Sequence, residues 1–165
     1  MKKKYTQRGF TLLMAALVAS VTLALGSSIF AIARKQITLS ALGRESQFAF
    51  YAADTGAECA LYWDLRYAAF STSTPAAVPS CDGDVLNPTG REEEPPYTVS
   101  FQITAFEDAD GISNTADDDG YCAEVTVAKD TENPYTIIHS NGYSVPCSII
   151  GISDRALQRS VELRY

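Results

Sequence analysis

The sequence predicts an α+β chain: one long amino-terminal helix, then a small head built on an antiparallel β-sheet. Three observations carry this reading. Residues 10–33, from Phe10 to Ala33, hold no charged side chain and are rich in Leu, Val, Ala and Ile. Residues 34–70 contain no proline, and the good helix formers Ala, Leu, Gln, Glu and Arg dominate them. Beyond residue 96, four short segments alternate apolar and polar side chains, the period of a half-buried strand.

As a helix, the uncharged run is long enough to cross a hydrocarbon core of about 30 Å. In lipid its backbone must be helical, because only then are all its amides and carbonyls satisfied. Lys2, Lys3, Lys4 and Arg8 precede it, which sets the amino terminus on the cytoplasmic side and the remainder outside. Arg34 and Lys35 at the far end partly offset that bias. Ala31-Ile32-Ala33 offers a small-x-small site to a general signal peptidase, so a cleaved secretory signal is the competing reading. Against it, cleavable apolar cores run to about 7–15 residues, and this run is longer. Further along, Phe48, Ala52, Gly56, Cys59 and Trp63 recur at steps of three or four and predict one inward face, with Glu45, Gln47, Asp54 and Glu58 opposite. A glycine inside a helix costs about 1 kcal/mol against alanine. Gly56 therefore marks the place where a strand of the head is expected to cross closely.

Composition changes after Phe70. Residues 71–96 are rich in Ser, Pro, Gly and Asp, and read as a long surface loop. The four predicted strands are 97–104, 122–127, 135–140 and 159–165. Successive strands without intervening long helices imply an antiparallel meander, whose apolar face should pack on the Gly56 side of the helix as one domain. Cys59, Cys81, Cys122 and Cys147 all follow the apolar run. An even number in an exported small domain favours disulfides. Of the three pairings, Cys59–Cys81 and Cys122–Cys147 are preferred because each closes the shorter loop. Zinc is the rival, opposed by the absence of a Cys-x-x-Cys spacing and the single histidine.

Glu92-Glu93-Glu94 reads as a solvated loop. In residues 108–120 the closely spaced Asp108, Asp110, Asp117 and Asp119 lie among glycines, a composition that suits the oxygen-rich shell of calcium. The spacing is not that of an EF-hand, and a solvated insertion between strands is the preferred reading. No other cofactor is called for. Nothing in the sequence assembles a catalytic site: His139 stands alone in a predicted strand, and no phosphate loop or nucleophile elbow is present, so no enzyme activity is expected. The net charge is −7, and more negative without the four basic residues of the leader. Such a chain repels phosphate backbones, so direct nucleic-acid binding is not expected.

Two motifs add a resemblance. Arg8-Gly9-Phe10-Thr11-Leu12-Leu13 joins a basic leader, residues 1–9, to the apolar run. This arrangement resembles the class III signal of type IV pilins and pseudopilins, in which a prepilin peptidase cleaves after the glycine (Gly9) and methylates the new amino-terminal residue (Phe10). Residues 47–58, Gln-Phe-Ala-Phe-Tyr-Ala-Ala-Asp-Thr-Gly-Ala-Glu, are similar to the Ala-Phe-x-Ala-Ala-Glu/Asp-x-Gly stretch of PilX-like minor pilins. The resemblance covers roughly residues 1–66. It implies the type IV pilin-like fold: a leader at 1–9, a single long helix over 10–66 with 10–33 in the membrane, and a head over 67–165. As one rod, that helix would be on the order of 80 Å long.

The chain departs from major pilins at Met14, where they carry Glu. In a filament that acid is thought to neutralise the amino terminus of an adjacent subunit. Met14 cannot do so, and a buried unpaired charge costs several kcal/mol. The resemblance then implies a minor subunit acting in initiation or at the tip, with a head available for adhesion. Its partners would be other pilins, the prepilin peptidase, the inner-membrane assembly platform and, before assembly, membrane lipid. Its location would be the inner membrane with the head outside, then an extracellular filament. A pseudopilin of a type II secretion system and a secreted calcium-binding or adhesive module are the alternatives.

Overall fold

A computed structural model describes residues 8–71, 77–81, 83–104, 120–133 and 135–165. The leader up to residue 7, and the candidate calcium ligands Asp108, Asp110, Asp117 and Asp119, lie outside the described residues. Helix α1 spans Arg8–Tyr67. A two-stranded ribbon follows, β1 (Ser80–Cys81) against β2 (Asp84–Val85). Then come β3 (Tyr97–Ile103), β4 (Cys122–Lys129), β5 (Thr136–Tyr143) and β6 (Gln158–Arg164). These four form one antiparallel sheet in chain order, a meander. The architecture is α+β, as the alternation of the segments requires. The chain divides into two compact units, one ending at Leu42 and one running Gly43–Tyr165, so the carboxyl half of α1 belongs with the sheet.

Within the second unit the register sets the core. Val99, Val127, Ile138 and Leu163 lie side by side on the inner face; so do Phe101, Val125, Ser140 and Val161. A third row joins Ile103, Ala123, Gly142 and Arg159. Against these rows α1 lays a stripe of small side chains: Ala49, Ala52, Ala53, Ala57 and Ala60 are all almost fully buried. This corrects the expected inward face. Phe48 and Trp63 sit half-buried on its flanks, and alanines form its centre. The physical reason is separation, since only short side chains let a sheet backbone approach a helix this closely.

Gly56 lies in the crossing, as expected. A Cβ there would sit 2.5 Å from Ser140 Oγ and 2.9 Å from Val125 Cγ2. The Ser140 hydroxyl is fully buried and, among the described residues, finds no hydrogen-bond partner. Burial of such a group costs about 1–3 kcal/mol; the small size of serine keeps the crossing close.

The carboxyl end of α1 is closed by its own backbone. Ala69 N donates to Trp63 O at 3.1 Å and Ala68 N to Asp64 O at 3.0 Å, with Ala68 in the left-handed region at φ 47°. The bond from Ala68 N to Asp64 O is that of the αL closure, a position that glycine usually fills, and Arg91 Nη2 adds a bond to Ala69 O. Phe70 then turns inward, its ring stacked on Phe101 with centroids 5.4 Å apart, and its carbonyl accepts from Tyr97 Oη at 2.8 Å.

The stretch read as a surface loop is more ordered than expected. It carries β1 and β2 and a bridge between Thr89 and Ser100, and it buries Cys81 and Leu86 in the core. Trp63 Nε1 donates to Ser80 O at 2.7 Å, and Cys59 is bonded to Cys81, so the helix holds this segment in place. The second disulfide joins Cys122 to Cys147. Both are the pairings favoured by loop length. Each closes a loop of 22 or 25 residues and, on the chain-entropy argument, stabilises by roughly 3 kcal/mol.

Candidate functional site

The amino-terminal half of α1 is the candidate site, because among the described residues its apolar side chains stay uncovered. Along Phe10 to Leu42 large apolar side chains stand exposed: Phe10 at 67%, Leu23 at 74% and Phe30 at 63%, for example. No part of its most apolar window is buried, and the helix is long and apolar enough to cross a membrane. Exposed to water, these side chains would each forfeit the roughly 1.5–3 kcal/mol that burial of a large apolar group gives. A contiguous exposed apolar surface of this kind marks an interaction site. Phe10 and Met14 lie in its first turns, Met14 half exposed at 50%, and Gly9 is helical within α1.

The head brings together a group that sequence reasoning missed. Asp64, on the buried side of α1, accepts from Lys129 Nζ of β4 at 2.5 Å and from Tyr165 Oη at 2.6 Å, both on Oδ2. Lys129 Nζ also donates to Thr136 Oγ1 at 3.0 Å, and the backbones of Thr136 and Tyr165 bond each other in both directions. The ion pair is well shielded, with side chains 6% and 16% exposed for Asp64 and Lys129. It ties the last turns of the helix to two strands and to the residue after β6. The only signal in the sequence is an acid one turn past Ala60, and the stripe predicted from periodicity lies to one side of it.

Burial first, and then the hydrogen bond and negative charge of Asp64, hold the Tyr165 phenol well above the ordinary tyrosine value. A proton bound more tightly in the fold than in the unfolded chain gives stability that is complete below the unfolded value of about 10. That stability is lost as pH rises from there through the folded value. Denaturant midpoints measured between pH 8 and 11 should therefore fall more steeply for the natural chain than for Tyr165→Phe. Tyr97 and Tyr143, both also raised chiefly by burial, shift with the same sign in both proteins and cancel in the comparison.

On the outer face of the sheet, polar side chains engage one another. His139 Nε2 lies 3.0 Å from Asn141 Oδ1, which also accepts from Ser160 Oγ at 2.6 Å. His139 Nδ1 is 3.6 Å from Glu162, whose other oxygen is held by Arg164. Gln102 and Tyr143 both donate to Glu124, at 2.9 and 3.1 Å. Among the described residues no three His, Cys, Asp or Glu side chains gather at a metal-sized site. The four cysteines are all in disulfides. The arrangement is a hydrogen-bonded solvent face.

No protein-family model, curated protein or solved structure matches the chain. What the fold supplies is a layout: a long amino-terminal helix, apolar in its first half, and an antiparallel sheet packed on its second half. That layout is consistent with a pilin.

Proposed function

We propose that the chain is a minor pilin of a type IV pilus-like filament, a structural subunit acting in initiation or at the tip, with its head outside the inner membrane. The observation that carries the reading is the uncovered apolar half of α1, continuous in one helix with the half that the head packs on. Such a segment is served by lipid before assembly and by similar helices afterwards, without refolding of the head. Cleavage after Gly9 would remove the basic leader and leave this segment attached. Met14, with no charge to offer a neighbour's amino terminus, suits a subunit that no earlier copy depends on. The paired disulfides and the buried Asp64–Lys129 pair give the head the rigidity that an exported, mechanically loaded domain needs. Partners on this reading are other pilins, the prepilin peptidase and the assembly platform.

Amino-terminal mass spectrometry of the protein recovered from membranes or sheared filaments tests it. The expected product begins at N-methylated Phe10. A mature chain beginning at Arg34 would overturn the proposal, because nothing apolar would remain to assemble.

A further inference from the structure

Arg34 and Lys35 close the uncharged run, yet the apolar surface does not end with them. Phe30 and Ile32 are exposed before the pair, at 63% and 57%, and Ile37 and Leu39 after it, at 70% and 67%. The two cations are thus set within a greasy surface. From Phe10 to Gly43 the sequence contains no acidic residue, and the first carboxylate of the helix is Glu45. That lies ten or eleven positions on, about 15 Å along the axis at 1.5 Å per residue. Among the described residues neither Arg34 nor Lys35 takes part in a salt bridge. The Arg34 guanidinium lies over the Phe30 ring, 5.6 Å from its centroid, folded back along the apolar surface. Together with Thr38 and Leu39 the pair lines a shallow open recess of about 360 Å³.

Two adjacent exposed cations with no ion-pair partner among the described residues, at the end of a helix segment matched to a bilayer, are placed to take an anion from outside the chain. We infer that Arg34 and Lys35 form a clamp for the phosphate of an anionic phospholipid headgroup in the outer leaflet of the membrane. A guanidinium and an ammonium side by side supply charge-assisted bonds to a phosphate diester. The flanking Phe30 and Leu39 offer the acyl chains an apolar wall. A zwitterionic headgroup carries its own cation and leaves the pair uncompensated, so the clamp selects net negative lipid. The inference rests on the membrane reading of α1 given above, and it specifies the lipid class that this helix prefers.

The test reconstitutes the full chain into phosphatidylcholine vesicles containing a minority of phosphatidylglycerol. Spin-labelled forms of each lipid then report their relative association with the protein. Each basic residue near an anionic surface is worth roughly a fivefold preference. Arg34→Gln with Lys35→Gln should therefore lower phosphatidylglycerol selectivity by about twentyfold or more, with phosphatidylcholine contact unchanged. The leader cations face the opposite leaflet and add the same background in every variant, so selectivity is read with spin labels confined to the leaflet that Arg34 and Lys35 face. Arg34→Lys, which keeps the charge, should keep most of the selectivity, and Arg34→Glu with Lys35→Glu should turn preference into exclusion. Equal selectivity in the natural chain and the double Gln variant overturns the clamp, as does complete loss of selectivity on adding millimolar inorganic phosphate. If selectivity is absent in vesicles and the pair protects an acidic side chain of a co-assembled subunit instead, the lipid assignment is likewise wrong. Failure of the chain to float with either vesicle overturns the membrane reading itself, which separates the two failures.

Discussion

Replacing Asp64 with alanine is expected to destabilise the head by about 3–5 kcal/mol, the range found when one partner of a buried ion pair is removed. The loss would have two parts. Lys129, 16% exposed, would be left with Thr136 as its hydrogen-bond partner among the described residues, and the Tyr165 hydroxyl would lose its acceptor. Asp64→Asn should cost less, because its amide oxygen can still accept from Tyr165. The pair Asp64→Leu with Lys129→Met should recover most of the loss, since exchanging a whole buried pair for apolar side chains is often neutral. Urea unfolding of the chain in detergent, followed by tryptophan fluorescence of Trp63, measures all three. If Asp64→Ala changed the midpoint no more than an exposed substitution such as Glu58→Ala, the network would hold nothing together.

The second large effect is expected at Gly142. A Cβ there would collide with the carbonyl oxygen of Ala49 and the amide nitrogen of Ala53, both of them backbone atoms of α1. Backbone cannot rotate aside, so Gly142→Ala must push the sheet off the helix. Overpacking of this kind costs typically 1–3 kcal/mol, and here at least about 3 kcal/mol is expected. Gly56→Ala should cost less, although it lies in the same crossing. Its Cβ meets side chains, and its nearest neighbour is the Ser140 hydroxyl, which no hydrogen bond fixes among the described residues. Alanine also regains about 1 kcal/mol of helix propensity there. The same unfolding experiment ranks the two, and a Gly56→Ala loss larger than that of Gly142→Ala would show that the helix and sheet yield differently from this account.

The two glycines illustrate what a sequence can disclose. Gly56 was legible because a glycine in a run of strong helix formers has no local excuse. Gly142 was not, because Asn141-Gly142 has the composition of a turn, and the apolar alternation of the predicted third strand stops at Ser140. In the fold the strand continues to Tyr143, and Gly142 is present for the sake of a helix far away in the chain. The alanines at 49, 53, 57 and 60 were passed over for a similar reason. Alanine is a good helix former anywhere, so only the sheet opposite reveals that these positions face it. Residues 71–96 misled in the other direction. Their composition is that of a loop, but Cys81 and Leu86 are drawn into the core by the disulfide and by packing that no local pattern encodes.

By itself the sequence determined the long helix, the four strands of the main sheet, their order and the apolar character of the first half of the helix. Those depend on local periodicity and on the sign and spacing of charge, which neighbours in the chain establish. Tertiary structure alone decided the axial register of helix on sheet, the buried pairing of Asp64 with Lys129, and which small residues lie in the contact. Each of these joins groups distant in sequence, and their free energy exists only once the strands have brought the partners within a few ångströms.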